Sequence, residues 1–472
     1  MRKWFFLIGF VSSVFYASPT LSVEQLEQIL LSKYLEGVEV GIEIYCLTNQ
    51  ELLYSKNAEK LLSVASNNKL VTTFSALEIL GRRFVHRTEL KAVGEIQNGI
   101  LNGDLVVVGH GDPNISGRFY SSPLAIPQTW AKALKKQGIH TIEGNLLAED
   151  QDFDREWISP HWPKDQLLSW YSAPVSALSF NDNCIIISVS PGSAGEVHLQ
   201  TDPPTRFMTL QNQMKVTPNG KTNFWVDRKW GTNEVYARGN FALTSRKQEA
   251  EITIHDPSLF LLTVFQESLE AENIKLTGTL GMESNPRTGK MLHCTSHPLF
   301  KTLSTINKNS QNFYAEHLFK ILGKHCFGKG TFENGAKAIS DLLKKKGYQE
   351  FEVTDGSGLS RGNRYSSHLL VGLLKDIYGH PDRDFFVATL PVSGVDGSMK
   401  ERLGSSYKKR VRAKTGYIYN VSALSGFVRS RSDKVYAFSF LMNGFATGKN
   451  PASNSTMKQI QDQLLKAVID YY

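Results

Sequence analysis

Two serines, two lysines and an asparagine occur in three short motifs that could together form a nucleophilic site. In Ser66-Asn67-Asn68-Lys69 the serine and the lysine stand three residues apart, so a helix beginning here places both on one face. The lysine amine could then take the serine's proton, provided that burial or a neighbouring cation lowers its pKa toward neutrality. Of four S-x-x-K matches, at Ser66, Ser405, Ser406 and Ser455, only the first opens a strongly apolar helix.

The other two motifs follow in an order that fits the same chemistry. Ser310-Gln311-Asn312 offers a hydroxyl that could relay a proton and an amide that could hold a peptide carbonyl. Lys414-Thr415-Gly416 occurs once in the chain, within a strand-like run. Gly416 leaves room for another backbone to approach, as glycine inside a strand commonly does. Each motif alone is common at helix caps or strand ends, but the order of the three indicates one site.

The elements that must position these motifs follow from the periodicity of apolar residues. Helical spacing predicts helices over 21–34, 66–81, 299–323, 334–346, 366–378 and 456–469. Alternation predicts strands over 38–44, 52–54, 412–418, 423–428 and 435–442. Residues 90 to 280 are richer in short strand-like runs and turns, and helices return from about residue 298. Helices and strands at both ends, around a strand-rich middle, predict one domain interrupted by a large insertion.

Composition limits the class of protein. With 472 residues, 41% hydrophobic and 21% charged, the chain is typical of a globular protein that is too long for one core. The formal net charge of +8 is spread over short blocks, which favours attraction to anionic envelope polymers. Nucleic acid fits poorly, given the export signal described next. No HExxH sequence occurs, and we expect no metal site.

The N-terminus predicts export. A basic start, an apolar run and small residues before Pro19 are typical of a secretory signal peptide over residues 1–18. An uncleaved membrane anchor is the alternative. The four cysteines allow three disulfide pairings, and their spacing does not choose among them.

The sequence around the motifs resembles that of the class C low-molecular-mass penicillin-binding proteins, the D-alanyl-D-alanine carboxypeptidase/endopeptidase family. Beyond the three motifs, the resemblance includes GDL (103–105), GHGDP (109–113), YSAPVSAL (171–178), NDN (181–183), DGSGLSR (355–361) and PVSGVDG (391–397). It implies an α+β fold: a serine β-lactamase/transpeptidase-like domain, an antiparallel sheet covered by helices, interrupted by a large strand-rich insertion. The implied parts are a catalytic domain (19–88 and 280–472), a first inserted domain (89–180 and 251–279) and a second, β-rich one (181–250).

The family pattern implies a catalytic role for five residues. Ser66 attacks the carbonyl of the penultimate D-Ala, and Lys69 takes its proton. Ser310 and Lys414 pass a proton to the leaving amine, while Asn312 orients the peptide. Two lysines beside one serine should lower each other's pKa.

The resemblance also implies how substrate is bound. Thr415, Gly416 and Tyr417 would bind the peptide, with the backbone N–H of Tyr417 helping to form an oxyanion hole. An acidic residue near Glu149 or Asp150 would contact the amino group of the donor peptide. The implied partners are peptidoglycan stem peptides and β-lactams as covalent inhibitors, with no cofactor, at the periplasmic side of the cell envelope and with peripheral association to it.

Several other interpretations stay open or fail on the sequence. The same fold could serve as a penicillin-binding scaffold with little turnover, and a β-lactamase would need a water-activating residue that we do not find. Gly358-Leu359-Ser360-Arg361-Gly362 matches the nucleophile elbow of α/β-hydrolases, but the next predicted helix begins too late. Residues 444–449 are one residue short of a phosphate loop.

Overall fold

The structure is a computed structural model that describes residues 19–192, 195–447 and 449–472, so the predicted signal peptide (1–18) lies outside the described residues. The helices are α1 (Pro19–Leu30), α2 (Asn68–Leu80), α3 (Ala125–Lys136), α4 (Pro257–Ala271), α5 (Leu299–Asn309), α6 (Asn312–Phe327), α7 (Phe332–Lys345), α8 (Ser367–Gly379), α9 (Arg383–Ala388) and α10 (Asn454–Tyr471). No helix among these described residues has the length and hydrophobicity that a membrane span requires.

The strands fall into a terminal set and a middle set. The terminal set is β1 (Glu39–Cys46), β2 (Glu51–Lys56) and β3 (Leu62–Ser63), then β17 (Arg364–Tyr365), β18 (Val411–Ile418), β19 (Val421–Arg429) and β20 (Val435–Asn443). The middle set is β4 (Val85–Gln97), β5 (Ile100–Gly109), β6 (Thr141–Ile142), β7 (Leu146–Glu149), β8 (Cys184–Pro191), β9 (Val197–Asp202), β10 (Thr209–Thr217), β11 (Asn223–Arg228), β12 (Glu234–Ala242), β13 (Gln248–Thr253), β14 (Lys275–Leu276), β15 (Leu280–Met282) and β16 (Lys290–Pro298).

A five-stranded antiparallel sheet joins the two ends of the chain, in the order β18-β19-β20-β1-β2. The sequence of β20 is almost wholly apolar because its alternate residues enter two different cores. Ala437 and Leu441 pack with α2, α6 and α8, whereas Phe438 and Phe440 pack with α1 and α10. A sheet covered by helices on both faces needs apolar side chains on both faces. The fold class predicted from the sequence is thereby confirmed.

The middle of the chain forms three further sheets. The largest has the order β14-β6-β5-β4-β16, with β7 and β15 attached, and shares a core with α3 and α4. Two three-stranded sheets, β13-β8-β9 and β10-β12-β11, lie between its strands in sequence. We propose that the inserted part runs from Val85 to Pro298, because β16 pairs with β4. Residue 280, where the second catalytic segment is expected to begin, is the first residue of β15.

The structure differs from the predicted helices in several places, including α1, which ends at Leu30 and not at residue 34, and α9, which the sequence did not indicate. The predicted helix over 299–323 is wrong as a single element, because Ser310 has a left-handed backbone (φ 59°, ψ 33°) that separates α5 from α6. Helices α3 and α4 lie in the region predicted to be rich in short strands, and the apolar sequence of α4 has no clear helical stripe that would distinguish it from buried strands. All four cysteines are free thiols, so none of the three pairings is formed.

Candidate active site

Ser66 lies in a tight turn that connects β3 to α2. Residues Ala65–Asn67 form a single 3₁₀ turn, and α2 begins at Asn68, two residues later than predicted. Ala65 has a positive φ of 45°, an uncommon conformation for a residue with a side chain. The carbonyl of Ala65 faces Gly358, where an added Cβ would approach it to 1.9 Å. Glycine is therefore required at residue 358 for the turn to hold the serine in place.

Lys69 is fully buried, and its amine has three hydrogen-bond partners. Its Nζ lies 3.0 Å from Ser66 Oγ, 2.7 Å from Asn312 Oδ1 and 2.7 Å from the carbonyl of Ser357. Burial lowers the pKa of Lys69 to about 7, and two buried carboxylates, Glu316 and Asp355, limit the fall. A lysine with this pKa can lose its proton near neutral pH and act as a base.

The second motif brackets the break between α5 and α6. Ser310 is the left-handed residue at the end of α5, and Asn312 is the first residue of α6. The Asn312 amide accepts from Lys69 through its oxygen and donates to the carbonyl of Tyr171 at 2.8 Å through its nitrogen. Asn312 thus connects Lys69 to the inserted part of the chain.

The third motif lies on β18, at the edge of the sheet. Lys414 is fully buried, and its Nζ donates to Ser310 Oγ at 2.8 Å and to the carbonyl of Thr415 at 2.7 Å. Its pKa is well below the ordinary lysine value because of burial first and the charge of Lys69 second. Of the mutual effect expected of the two lysines, the influence of Lys69 on the pKa of Lys414 is present and is smaller than that of burial. An added Cβ at Gly416 would lie 2.8 Å from the carbonyl of Val64, so glycine lets β18 approach the nucleophile's turn.

Five of the predicted residues line a cavity of about 160 Å³; Lys69, Asn312 and Lys414 do not line it, although the two lysines contact its serines. It is lined by Ser66, Ser310, Ser398, Arg402, Thr415, Gly416, Tyr417, Ser422, Ala423, Lys458 and Gln461. Thr415 donates to Ser398 at 2.8 Å, and Arg402 is held by Asp462 at 2.6 Å. The motifs gave no signal for Ser398 or Arg402, since chain segments far apart in sequence bring them to the cavity.

Other candidates lie away from this cavity or have structural partners. Asp150 is buried and accepts from Ser258 at 2.7 Å, and neither it nor Glu149 lines the cavity. Ser360, the centre of the elbow-like sequence, is buried in a loop and accepts from the backbone of Gly362 at 3.0 Å. A carboxylate that the motifs did not flag, Glu316, lies fully buried behind Lys69.

A serine paired with a buried lysine at a helix start, beside an edge strand with a second lysine, defines the class of serine enzymes that work through an acyl intermediate. Within that class, this chain belongs to the D-Ala-D-Ala carboxypeptidase 3 (S13) family, whose model matches residues 22–466. The prediction of a serine DD-peptidase is thereby confirmed at the level of the family.

A curated relative supports the family, and two solved structures have a similar fold. The chain is 30% identical to a D-alanyl-D-alanine carboxypeptidase of an Actinomadura species, over 95% of this chain and 84% of the relative. Its fold is similar to the crystal structure of penicillin-binding protein 4 from Haemophilus influenzae, with a TM-score of 0.82, 24% identity and coverage of 95% and 99% of the two chains. The same relative in complex with a β-lactam matches with a TM-score of 0.77 over 95% of this chain and 100% of the relative, at 24% identity.

Proposed function

We propose that this chain hydrolyses the D-Ala-D-Ala ends of peptidoglycan stem peptides, and D-Ala crosslinks between them, through an ester on Ser66. The observation that carries the proposal is the contact of 3.0 Å between Ser66 Oγ and the amine of a fully buried Lys69. Neutral Lys69 takes the hydroxyl proton as the oxygen attacks the carbonyl carbon of the penultimate D-Ala.

The second half of acylation breaks the C–N bond of the peptide. Lys414 lies within 2.8 Å of Ser310, so a proton can pass from the lysine through the serine hydroxyl to the departing amine. The backbone N–H groups of Ser66 and Tyr417 would stabilise the oxyanion, each contributing about 3 kcal/mol to the transition state. Asn312 would orient the peptide. Water then attacks the ester, and the peptide leaves as a carboxylic acid.

Substrate binding is assigned to the edge strand. Thr415, Gly416 and Tyr417 line the cavity on β18, where an extended peptide could add to the sheet by backbone hydrogen bonds. Thr415 would bind the terminal carboxylate. A β-lactam that resembles this peptide would acylate Ser66 in the same way, which agrees with the β-lactam complex of the relative.

A labelled penicillin tests the nucleophile. We expect covalent labelling of the wild-type chain and none of Ser66→Ala. Ser405→Ala is the matched control, since Ser405 also stands three residues before a lysine but does not line the cavity. Equal labelling of wild type and Ser66→Ala would refute the assignment.

Release of D-Ala distinguishes an enzyme from a scaffold. A synthetic peptide that ends in D-Ala-D-Ala should lose one D-Ala, and a crosslinked dimer should be cut into monomers. A folded chain that takes up penicillin but releases neither product would support a penicillin-binding scaffold instead. Cleavage of only one of the two substrates would restrict the activity to carboxypeptidase or to endopeptidase.

We also propose that the protein acts outside the cytoplasm, at the periplasmic face of the cell envelope. The support is the signal-like text of residues 1–18 and the positive net charge, which favours peripheral contact with anionic polymers. Cell fractionation of the full chain, beside a chain that lacks residues 1–18, would test this. The shortened chain should stay in the cytoplasm.

A further inference from the structure

Glu316 is a fully buried carboxylate on the same face of α6 as Asn312, one helical turn further on. Each of its oxygens accepts one backbone N–H bond. Oε2 accepts from Gly356 at 2.8 Å and Oε1 accepts from Ser357 at 2.8 Å. A buried carboxylate is costly unless such bonds are made, so this pair of bonds fixes the backbone of residues 356–357 firmly.

That backbone also holds the base of the proposed reaction. The carbonyl of Ser357 accepts from Lys69 Nζ at 2.7 Å, and the same nitrogen lies 3.0 Å from Ser66 Oγ. A continuous chain of contacts therefore runs from Glu316 through the backbone of Ser357 to Lys69 and on to the nucleophile. The bonds of Lys69 to Asn312 and Ser357 leave its third bond for Ser66.

We infer that Glu316 is a positioning residue for acylation: it holds the Ser357 carbonyl where that carbonyl aims Lys69 at Ser66, and its carboxylate lies among the ionisable groups around that amine. This inference rests on the proposed role of Lys69 as the base. It concerns a residue that touches neither substrate nor the reacting atoms.

The ionisable groups around Lys69 determine whether a substitution of Glu316 raises or lowers the pKa of Lys69. Glu316 on α6, Asp355 in the loop between α7 and β17, and Lys414 on β18 all face it. Burial lowers the pKa of Lys69, while the two carboxylates raise it. Glu316 itself has a raised pKa because of burial first and Asp355 second, and its bonds to backbone N–H groups favour the charged form. Lys320, one turn further along α6, also faces Glu316.

Removal of the Glu316 charge should therefore let Lys69 lose its proton at lower pH. In Glu316→Gln, the acid limb of the acylation rate should move down by about one pH unit, since interactions between charges are weakly screened inside a protein. The amide nitrogen would also face a backbone N–H that has lost its acceptor. We expect the plateau rate to fall about tenfold, because Lys69 is then less well aimed.

The measurement is the second-order rate of acylation by a labelled penicillin as a function of pH. Asp112→Asn is the matched control: Asp112 is also a buried carboxylate with hydrogen-bonded partners, His297 at 2.6 Å among them, but it lies in the inserted part. Asp112→Asn should lower the free energy of unfolding without shifting the acid limb of the pH dependence of acylation. A purely structural role for Glu316 would give the same result as Asp112→Asn, and that result would overturn the inference.

Glu316→Asp separates charge from reach and keeps the test decisive if Glu316→Gln does not fold. It retains the carboxylate but shortens the side chain by one methylene, so the plateau rate should fall while the limb stays in place. A wild-type plateau in Glu316→Asp would overturn the positioning role. If the wild-type chain itself takes up no penicillin, the proposed function fails, and that outcome is distinct from any difference among the Glu316 variants.

Discussion

Lys69 and Lys414 contact two different serine hydroxyls at one cavity: Lys69 lies 3.0 Å from Ser66, and Lys414 lies 2.8 Å from Ser310. Both amines are fully buried, and the charge of Lys69 disfavours a charge on Lys414. Each lysine therefore has its own hydroxyl partner. This division suits a reaction in which one proton leaves a nucleophile and another reaches a leaving group.

The pH dependence of acylation should report Lys69. Because its pKa is lowered to about 7, the rate of penicillin uptake should rise with pH through neutrality, as the neutral amine becomes available. A rate that keeps rising until about pH 10, where an ordinary lysine titrates, would contradict this. Near-ultraviolet circular dichroism over the same range would show that the fold is intact.

Lys69→Arg should remove the base and keep the positive charge. An arginine does not lose its proton in proteins, so the acylation rate should fall by about 10³-fold. Rapid-quench labelling would measure it. Lys337→Arg, on the exposed face of α7, is the control and should react at the wild-type rate. Normal acylation of Lys69→Arg would exclude a lysine base.

Gly416→Ala should slow acylation and leave the fold largely intact. The added Cβ would lie 2.8 Å from the carbonyl of Val64 and 3.1 Å from the backbone nitrogen of Asn67, so β18 must move away from the nucleophile's turn. A displacement of this size should lower the acylation rate by about tenfold or more. Gly379→Ala, where an added Cβ meets nothing within 4 Å, should behave as wild type.

Asp355→Asn should destabilise the protein strongly. The buried carboxylate accepts from the backbone of Gly358 and Ser360 and from the side chains of Asn363 and Trp162. Either orientation of the new amide sets its nitrogen against two of these donors, which should lower the free energy of unfolding by about 3 kcal/mol. Urea unfolding would measure the loss.

The control for Asp355→Asn is Asp384→Asn, on the exposed side of α9. Its carboxylate is 91% exposed, and its contact with Arg383 is screened by water. The free energy of unfolding of this variant should lie within about 0.5 kcal/mol of wild type. Equal effects of the two substitutions would show that the network around Asp355 adds nothing to stability.

Much of the catalytic part could be predicted because its motifs lie on elements with clear periodicity. Strands β18 to β20 and helices α7, α8 and α10 lie within a few residues of their predicted bounds. Helix α6 could not be separated from α5, because the break depends on the backbone angles of Ser310 and not on a proline or glycine.

The site was predictable only as far as its motifs extend. Ser66, Lys69, Ser310, Asn312 and Lys414 each stand in a recognisable triplet or quartet. Glu316 and the carbonyl of Ser357 do not, since one is an isolated acid in a helix and the other is a backbone group. The only signal for Glu316 was its place among apolar residues, where a charge needs buried partners.

The pairing of β1 with β20 has a consequence for biosynthesis. Residues 39–46 and 436–443 are neighbours in the sheet. Strand β1 can therefore pair with β2 early, but it can pair with β20 only after β20 has left the ribosome. A growing chain contains Ser66 long before it contains β18, the strand that carries Lys414. The five-stranded sheet therefore closes only after residues 435–443 have been synthesised, late in the chain.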